Sequence, residues 1–125
     1  MHGITLTVAP GNRHLGVANT GVEIVSAVPN PIIDIADRNV TVEWLALEAG
    51  TPGASGAVRV NVDDPAFNGP VVVRHNVING VGGSGIVVGT TASQNVVLDI
   101  HDNVVKPTSF ATYYGLHLNP SGSTW

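Results

Sequence analysis

The chain of 125 residues contains no cysteine, so disulfide bonds and thiolate chemistry are excluded. Only 11% of its residues are charged, and the five basic residues lie far apart, which argues against a nucleic-acid interface. There is no run of about 18 apolar residues, and the first residues lack the basic region and apolar stretch of a secretory signal. We therefore expect that this chain neither binds nucleic acid nor inserts into a membrane.

Aromatic residues are also scarce, with two each of Phe, Tyr and Trp, although 43% of the chain is apolar. The interior must then be built mainly from Val, Ile, Leu and Ala, which favours strands over helices. Fifteen Gly and eight Pro are spread along the chain and interrupt every window of helical length. These features predict one all-β domain, residues 1–125, of many short strands joined by turns.

An internal repeat is the most informative feature of the sequence. Three segments, residues 39–47, 71–78 and 98–105, place apolar side chains at matching positions: Val40, Val71 and Leu98, then Val42, Val73 and Ile100, then Leu47, Ile78 and Val105. Two polar or aromatic residues interrupt the apolar pattern in each copy, and we expect each strand to bend there. The repeat is clearest between residues 39 and 118.

Each copy is followed by a second strand that begins with glycine. Gly56, Gly85 and Gly115 begin these strands, and Gly21 begins what we interpret as an earlier copy, which gives separations of 35, 29 and 30 residues. Hairpins of an antiparallel sandwich would repeat at shorter intervals, about every 8–12 residues. A parallel coil explains the long period, because equivalent strands lie about 4.8 Å apart and keep the same side chains inward.

Asn76 and Asn103 occupy the same position in their copies, and Leu45 takes that position in the preceding copy. Stacked inward amides can hydrogen-bond to one another and to the turn backbone, which removes the cost of burying them. We expect an asparagine ladder that ends at Leu45. The alternative is a pair of ordinary turn asparagines with amides facing solvent.

The segments Val73–Asn79 with Ser84–Val88, and Ile100–Val105 with Gly115–Leu118, resemble the repeats of the pectate-lyase-like superfamily. This resemblance implies a right-handed parallel β-helix of three to four coils, either a fragment or an assembling subunit. The chain is similar in particular to β-helix proteins of bacterial and phage surfaces, including tailspikes. An extracellular or virion-associated location follows from the same resemblance.

The resemblance does not select an activity, because the superfamily contains lyases, hydrolases, epimerases, tailspikes and adhesins. We favour a non-enzymatic structural or attachment module of a phage or bacterial surface assembly that engages polysaccharide. The alternative is a carbohydrate-active enzyme, a polysaccharide lyase or glycoside hydrolase, or a fragment of one. A third reading is a fibre subunit that assembles end to end. Open coil ends predict self-association or coverage by further chain.

Asp63 and Asp64 are the first catalytic candidates, because polygalacturonases of similar fold use an adjacent aspartate pair. The accompanying Asn-Thr-Asp, Gly-His-Gly and Arg-Ile-Lys segments of that family are missing from the sequence. Asp63 and Asp64 are followed by Pro65, and the same residues are typical of a polar turn.

A second candidate site lies beside the predicted bend, where Glu43, Arg74 and His101 share one outward column and Trp44, His75 and Asp102 share the next. Trp44, His75 and His101 are ligand-binding candidates for a sugar, and Arg74 with Asp99 and Asp102 forms the catalytic candidate of a lyase. Ca²⁺ is expected only in that lyase case. A solvated ladder of charge pairs fits the same pattern.

Tyr113 and Tyr114 are further carbohydrate-binding candidates, although packing over the last coil explains them as well. The histidines show no close spacing typical of metal ligands, so no resident metal or other cofactor is expected.

Overall fold

Three parallel β-sheets of four strands each form the described part of the chain. The computed structural model describes residues 3–17, 19–28, 30–49, 56–62, 69–81, 84–91, 97–107 and 114–121. The first sheet contains β1 (Ile4–Leu6), β4 (Val40–Glu43), β7 (Pro70–Arg74) and β10 (Val97–His101). The second contains β2 (Glu23–Ser26), β5 (Ala46–Ala49), β8 (Val77–Val81) and β11 (Val104–Pro107). The third contains β3 (Ile33–Ile35), β6 (Val58–Val62), β9 (Ile86–Thr91) and β12 (Leu116–Ser121).

Consecutive strands lie in different sheets, and the chain visits the three sheets in the same order throughout. We call each set of three consecutive strands a triplet, from the first (β1–β3) to the fourth (β10–β12). All pairings between these strands are parallel. The only helix among the described residues is one 3₁₀ turn at Pro10–Asn12. This arrangement is that of an all-β, β-helix-like solenoid, as the sequence predicted.

The strand register confirms the repeat. Val73 pairs with Val42 on one side and with Ile100 on the other, so the three aligned segments are neighbours in one sheet. Ile78 likewise pairs with both Leu47 and Val105. Because the sheets are in register, each aliphatic side chain stacks on its counterpart, and the same face of every strand is inward.

The interpretation of Gly21 as the start of a glycine-led strand is wrong. Glu23 pairs with Ala46, so the strand after Gly21 belongs to the second sheet, whereas the strands after Gly56 and Gly85 belong to the third. The first-triplet member of the third sheet is β3, which follows Pro31. Gly21 instead has a φ of 77° and lies at the bend between the first and second sheets.

The core is a continuous cluster of branched aliphatic side chains inside the three sheets. Val58, Val60, Val71, Val73 and Ile78 are fully buried in the middle triplets. Burying each such side chain stabilises the fold by about 1.5–3 kcal/mol. Among the described residues this cluster contains no aromatic side chain, in agreement with the aliphatic composition, although Trp44 packs against it.

The bend between the first and second sheets has the same backbone conformation in every triplet. Gly21, Trp44, His75 and Asp102 each have a positive φ, between 52° and 77°. The left-handed conformation costs a residue with a Cβ about 1–2 kcal/mol. Trp44, His75 and Asp102 therefore adopt a costly conformation that glycine would adopt freely, and their side chains define the corner described next.

Candidate ligand-binding surface

The asparagine ladder lies directly beneath this corner. Asn76 is fully buried, and its Oδ1 accepts a hydrogen bond from the Leu45 N–H at 3.1 Å. Its Nδ2 donates to the Val42 carbonyl and to Asn103 Oδ1, both at 3.0 Å. Asn103 Oδ1 also accepts the Asn76 N–H at 3.1 Å, and Asn103 Nδ2 donates to the Val73 carbonyl at 2.7 Å. The predicted ladder is confirmed, and Leu45 is the apolar residue where it ends.

The outward column of the first sheet contains Glu43, Arg74 and His101 in register, as the sequence predicted. Arg74 Nε donates to Glu43 Oε2 at 2.8 Å, and Thr7 Oγ1 donates to Glu43 Oε1 at 3.1 Å. The hydrogen bond from Arg74 lowers the pKa of Glu43 below its usual value, against the opposing effect of burial. Glu43 is therefore an ionised partner of Arg74, and Arg74 is engaged by Glu43.

Trp44 is the centre of the corner column, and partners lie against its ring. The His75 ring stacks on the indole at 4.5 Å with an interplanar angle of 20°. The Arg13 guanidinium carbon lies 4.5 Å from the indole centroid, in a cation–π contact. Arg13 belongs to the first triplet and His75 to the third, so they approach Trp44 from either side. The indole expected to serve as a sugar platform is thus already covered by protein groups.

In the first triplet the residue at the bend is Gly21, which has no side chain. The His14 side chain lies in the corner column instead. It is 5% exposed, its Nε2 lies 2.7 Å from the His75 carbonyl, and the Gly16 N–H donates to its Nδ1 at 3.1 Å. These two contacts require the proton on Nε2. A Cβ at Gly21 would lie 2.5 Å from the His14 backbone nitrogen, so only glycine leaves room for this segment.

The fourth triplet presents a cluster of imidazoles and carboxylates. His101 Nδ1 lies 2.9 Å from Asp102 Oδ2, and His101 Nε2 lies 3.7 Å from Asp99 Oδ1. The His75 Nδ1 lies 3.9 Å from the same Asp102 oxygen, and the His75 and His101 rings meet edge to face at 5.6 Å. The hydrogen bond from His101 lowers the pKa of Asp102. Asp99 and Asp102 remain 57% and 66% exposed, so this cluster is open to a ligand.

The structure thus brings together His75, His101, Asp99 and Asp102, with Arg74 and Trp44 alongside. Tyr114 lies elsewhere, two residues before β12 of the third sheet, with its ring 5.1 Å from that of His117. Asp63, Asp64 and Tyr113 lie outside the described residues. Arg13 and His14 were missed as members of the corner, because their contacts join residues 31 to 61 positions apart and no local pattern marks them.

Within the described ranges, no group of three or more His, Asp or Glu side chains is arranged to hold a metal ion. The same ranges contain no helix with the length and apolar character needed to span a bilayer.

Comparison with known proteins adds no relative: no family model matches the chain, and no curated protein or solved structure is significantly similar to it.

Proposed function

We propose that the chain is a right-handed parallel β-helix of four coils that serves as a structural or attachment module of a phage or bacterial surface assembly. In this role it binds polysaccharide along the corner beside the first sheet. The supporting observation is the arrangement of polar side chains in columns that run from triplet to triplet and end in the exposed cluster of His75, His101, Asp99 and Asp102.

The chemistry of this cluster suits sugar hydroxyls. A carboxylate accepts hydrogen bonds from two hydroxyls, and an imidazole either donates or accepts one. Neighbouring groups can therefore bind the hydroxyls along one edge of a sugar chain. Trp44 supports this surface from within, because its ring is packed between Arg13 and His75. Its role is to position His75, and the sugar contacts come from His101, Asp99 and Asp102.

The lyase alternative requires a free base near the reacting carbon. Arg74 is held by Glu43 at 2.8 Å, and the lowered pKa of Glu43 keeps that pair ionised. This pairing favours binding over catalysis for the Arg74 column.

The test is titration calorimetry with a panel of acidic and neutral polysaccharides, on the wild type and on a His101→Ala, Asp102→Asn double variant. Loss of one charged hydrogen bond is worth about 1.5–3 kcal/mol, so we expect affinity to fall at least about tenfold. Arg59→Gln is the matched control, because Arg59 lies on the outer side of the third sheet and pairs with Asp34. Its affinity should be unchanged.

The same samples are monitored for unsaturated product absorbance and for new reducing ends. Product from the wild type, abolished in the double variant, would replace the attachment module with an enzyme. Binding that survives the double variant but is lost in Arg59→Gln would place the glycan surface on the third sheet and refute the corner site. Circular dichroism establishes that each variant is folded.

A further inference from the structure

The two ends of the solenoid expose aliphatic side chains that belong to the inward columns. At the first triplet Ile4 is 58% exposed and Leu6 is 40% exposed. At the fourth triplet Leu116 and Leu118 are each 44% exposed. Their counterparts in the middle triplets are almost completely buried, and the exposure at the ends arises because no further described strand lies beyond them.

Five of the inward columns begin and end with aliphatic residues, whereas the column through Ala46 and Val77 begins with Glu23 and ends with Val104. The first and last residues of the five aliphatic columns, in register, are Ile4 and Leu98, Leu6 and Ile100, Ile24 and Val105, Ile33 and Leu116, and Ile35 and Leu118. A second copy placed with its first triplet on the fourth triplet of the first copy would continue these five columns, with the exposed Ile4 and Leu6 making the largest contacts, since Ile35 is already only 3% exposed. The strands would also continue parallel, because all three sheets run in one direction throughout.

Polar groups on the outer face agree with the same placement. Asp34 of the first triplet lies in the column of Arg59, Val87 and His117. Stacking a second copy would bring its Asp34 next to His117 of the first copy, which is a complementary pair. In the outward column of the first sheet, Thr5 of the second copy would meet Asp99, a hydroxyl beside a carboxylate.

The segment between β1 and β2 leaves Ile4 and Leu6 of β1 exposed, although its own Val8 is buried in the core cluster. Its contacts are with later triplets: Thr7 with Glu43, Arg13 with Trp44, and His14 with the His75 carbonyl. It therefore runs along the corner in the direction of the third triplet and away from the outer edge of β1. Among the described residues, no strand pairs with the outer edges of β1–β3 or β10–β12, and such edges are templates for a further strand.

We infer that this chain associates with a second copy of itself head to tail, with β1, β2 and β3 of one copy pairing in parallel with β10, β11 and β12 of the other. The contact joins two different surfaces, so a dimer still has one free first-triplet end and one free fourth-triplet end. Further copies can therefore add to it, and the assembly extends beyond a dimer. This inference rests on the fold and does not require glycan binding, although Asp99 of the proposed glycan surface lies at the contact.

Two variants, each blocking one end, provide the test. Ile4→Lys places a charge at the first-triplet end, and Leu116→Lys places one at the fourth-triplet end. Leu15→Lys is the matched control, because Leu15 is 87% exposed in the segment along the corner. Sedimentation velocity over a concentration series measures the mass of each protein, and of an equimolar mixture of the two blocked variants.

We expect wild type and Leu15→Lys to grow beyond dimers as concentration rises, and each blocked variant alone to remain a 12.9 kDa monomer. The mixture should form dimers and nothing larger. Each variant contributes one unblocked end, and pairing these two ends leaves a dimer whose remaining ends are both blocked. A wild type that stays monomeric overturns the inference, and so does a blocked variant that still dimerises alone, which would indicate contact between like ends. If a blocked variant does not fold, Leu6→Lys and Val104→Lys block the same two ends.

Discussion

Replacing Asn76 tests how much the asparagine ladder contributes to the fold. The Asn76 side chain joins three successive triplets, because its amide contacts Leu45 and Val42 on one side and Asn103 on the other. It is fully buried, so no water can replace a lost partner. We compare Asn76→Leu, which removes the amide, with Asn76→Asp, which keeps one acceptor oxygen and removes the donor.

Asn76→Leu leaves the Leu45 N–H without an acceptor in the core, and an unsatisfied buried donor costs about 1–3 kcal/mol. The leucine side chain itself is tolerated, because Leu45 already occupies this column one triplet earlier. Asn76→Asp at neutral pH directs a carboxylate oxygen at the Val42 carbonyl, without a cation to pair it. An unpaired buried charge costs about 3–5 kcal/mol, so the Asp variant should be the less stable of the two.

The two variants should also respond differently to pH. Burial raises the pKa of the introduced carboxyl in the folded state above its unfolded value of about 3.9. Its protonated form regains a donor for the Val42 carbonyl, so the Asp variant recovers stability as pH falls from that raised pKa toward the unfolded value. The Leu variant carries no new titrating group, and its difference from the wild type should stay constant over the same range.

Urea unfolding followed by circular dichroism at several pH values measures these differences. Asn79→Leu is the control, because Asn79 lies in β8, the strand that follows Asn76, but faces outward and is half-buried; we expect a change within about 0.5 kcal/mol. Equal loss of stability in Asn76→Leu and Asn76→Asp at every pH would refute the reasoning, since it would mean that the donor and the charge do not matter.

Three further changes follow from the packing. Val73→Asp places a charge in the fully buried middle of the first sheet, and we expect loss of the cooperative urea transition; wild-type-like unfolding would mean that this position faces water. Arg74→Ala removes the cation from Glu43, whose side chain is 12% exposed, and should cost about 1–3 kcal/mol at pH 7. Because the pKa of Glu43 is lowered in the fold, the contribution of this pair is lost as pH falls through that pKa, and the variant should approach the wild type in acid. Gly85→Ala would place a Cβ 2.9 Å from the Gly115 carbonyl and should cost about 1–3 kcal/mol, whereas Gly115→Ala meets nothing closer than 4.0 Å and should melt like the wild type.

The sequence predicted the parts of the fold that repeat. Val42, Val73 and Ile100 recur at equivalent positions, and an in-register parallel sheet is the arrangement that keeps all of them inward. The ladder of Asn76 and Asn103 followed from the same alignment, since two amides at one position of successive coils must lie a strand spacing apart.

Gly21 was misread because glycine serves two purposes in this chain. At Gly85 it permits close packing against the next triplet, whereas at Gly21 it permits a left-handed bend beside His14. The sequence pattern alone does not distinguish these purposes. The contacts of Arg13 and His14 with Trp44 and His75 were also beyond prediction, because they depend on a non-repeating segment folding back along the corner.

The hydrogen bonds of the ladder have a direction, which bears on how the chain is synthesised. The backbone N–H of Leu45 is received by the side chain of Asn76, and that of Asn76 by the side chain of Asn103. In both cases the acceptor comes from residues made later. On the ribosome, these two bends therefore lack their acceptors until about 30 more residues have been made, and we expect each of them to close only when the following triplet has emerged.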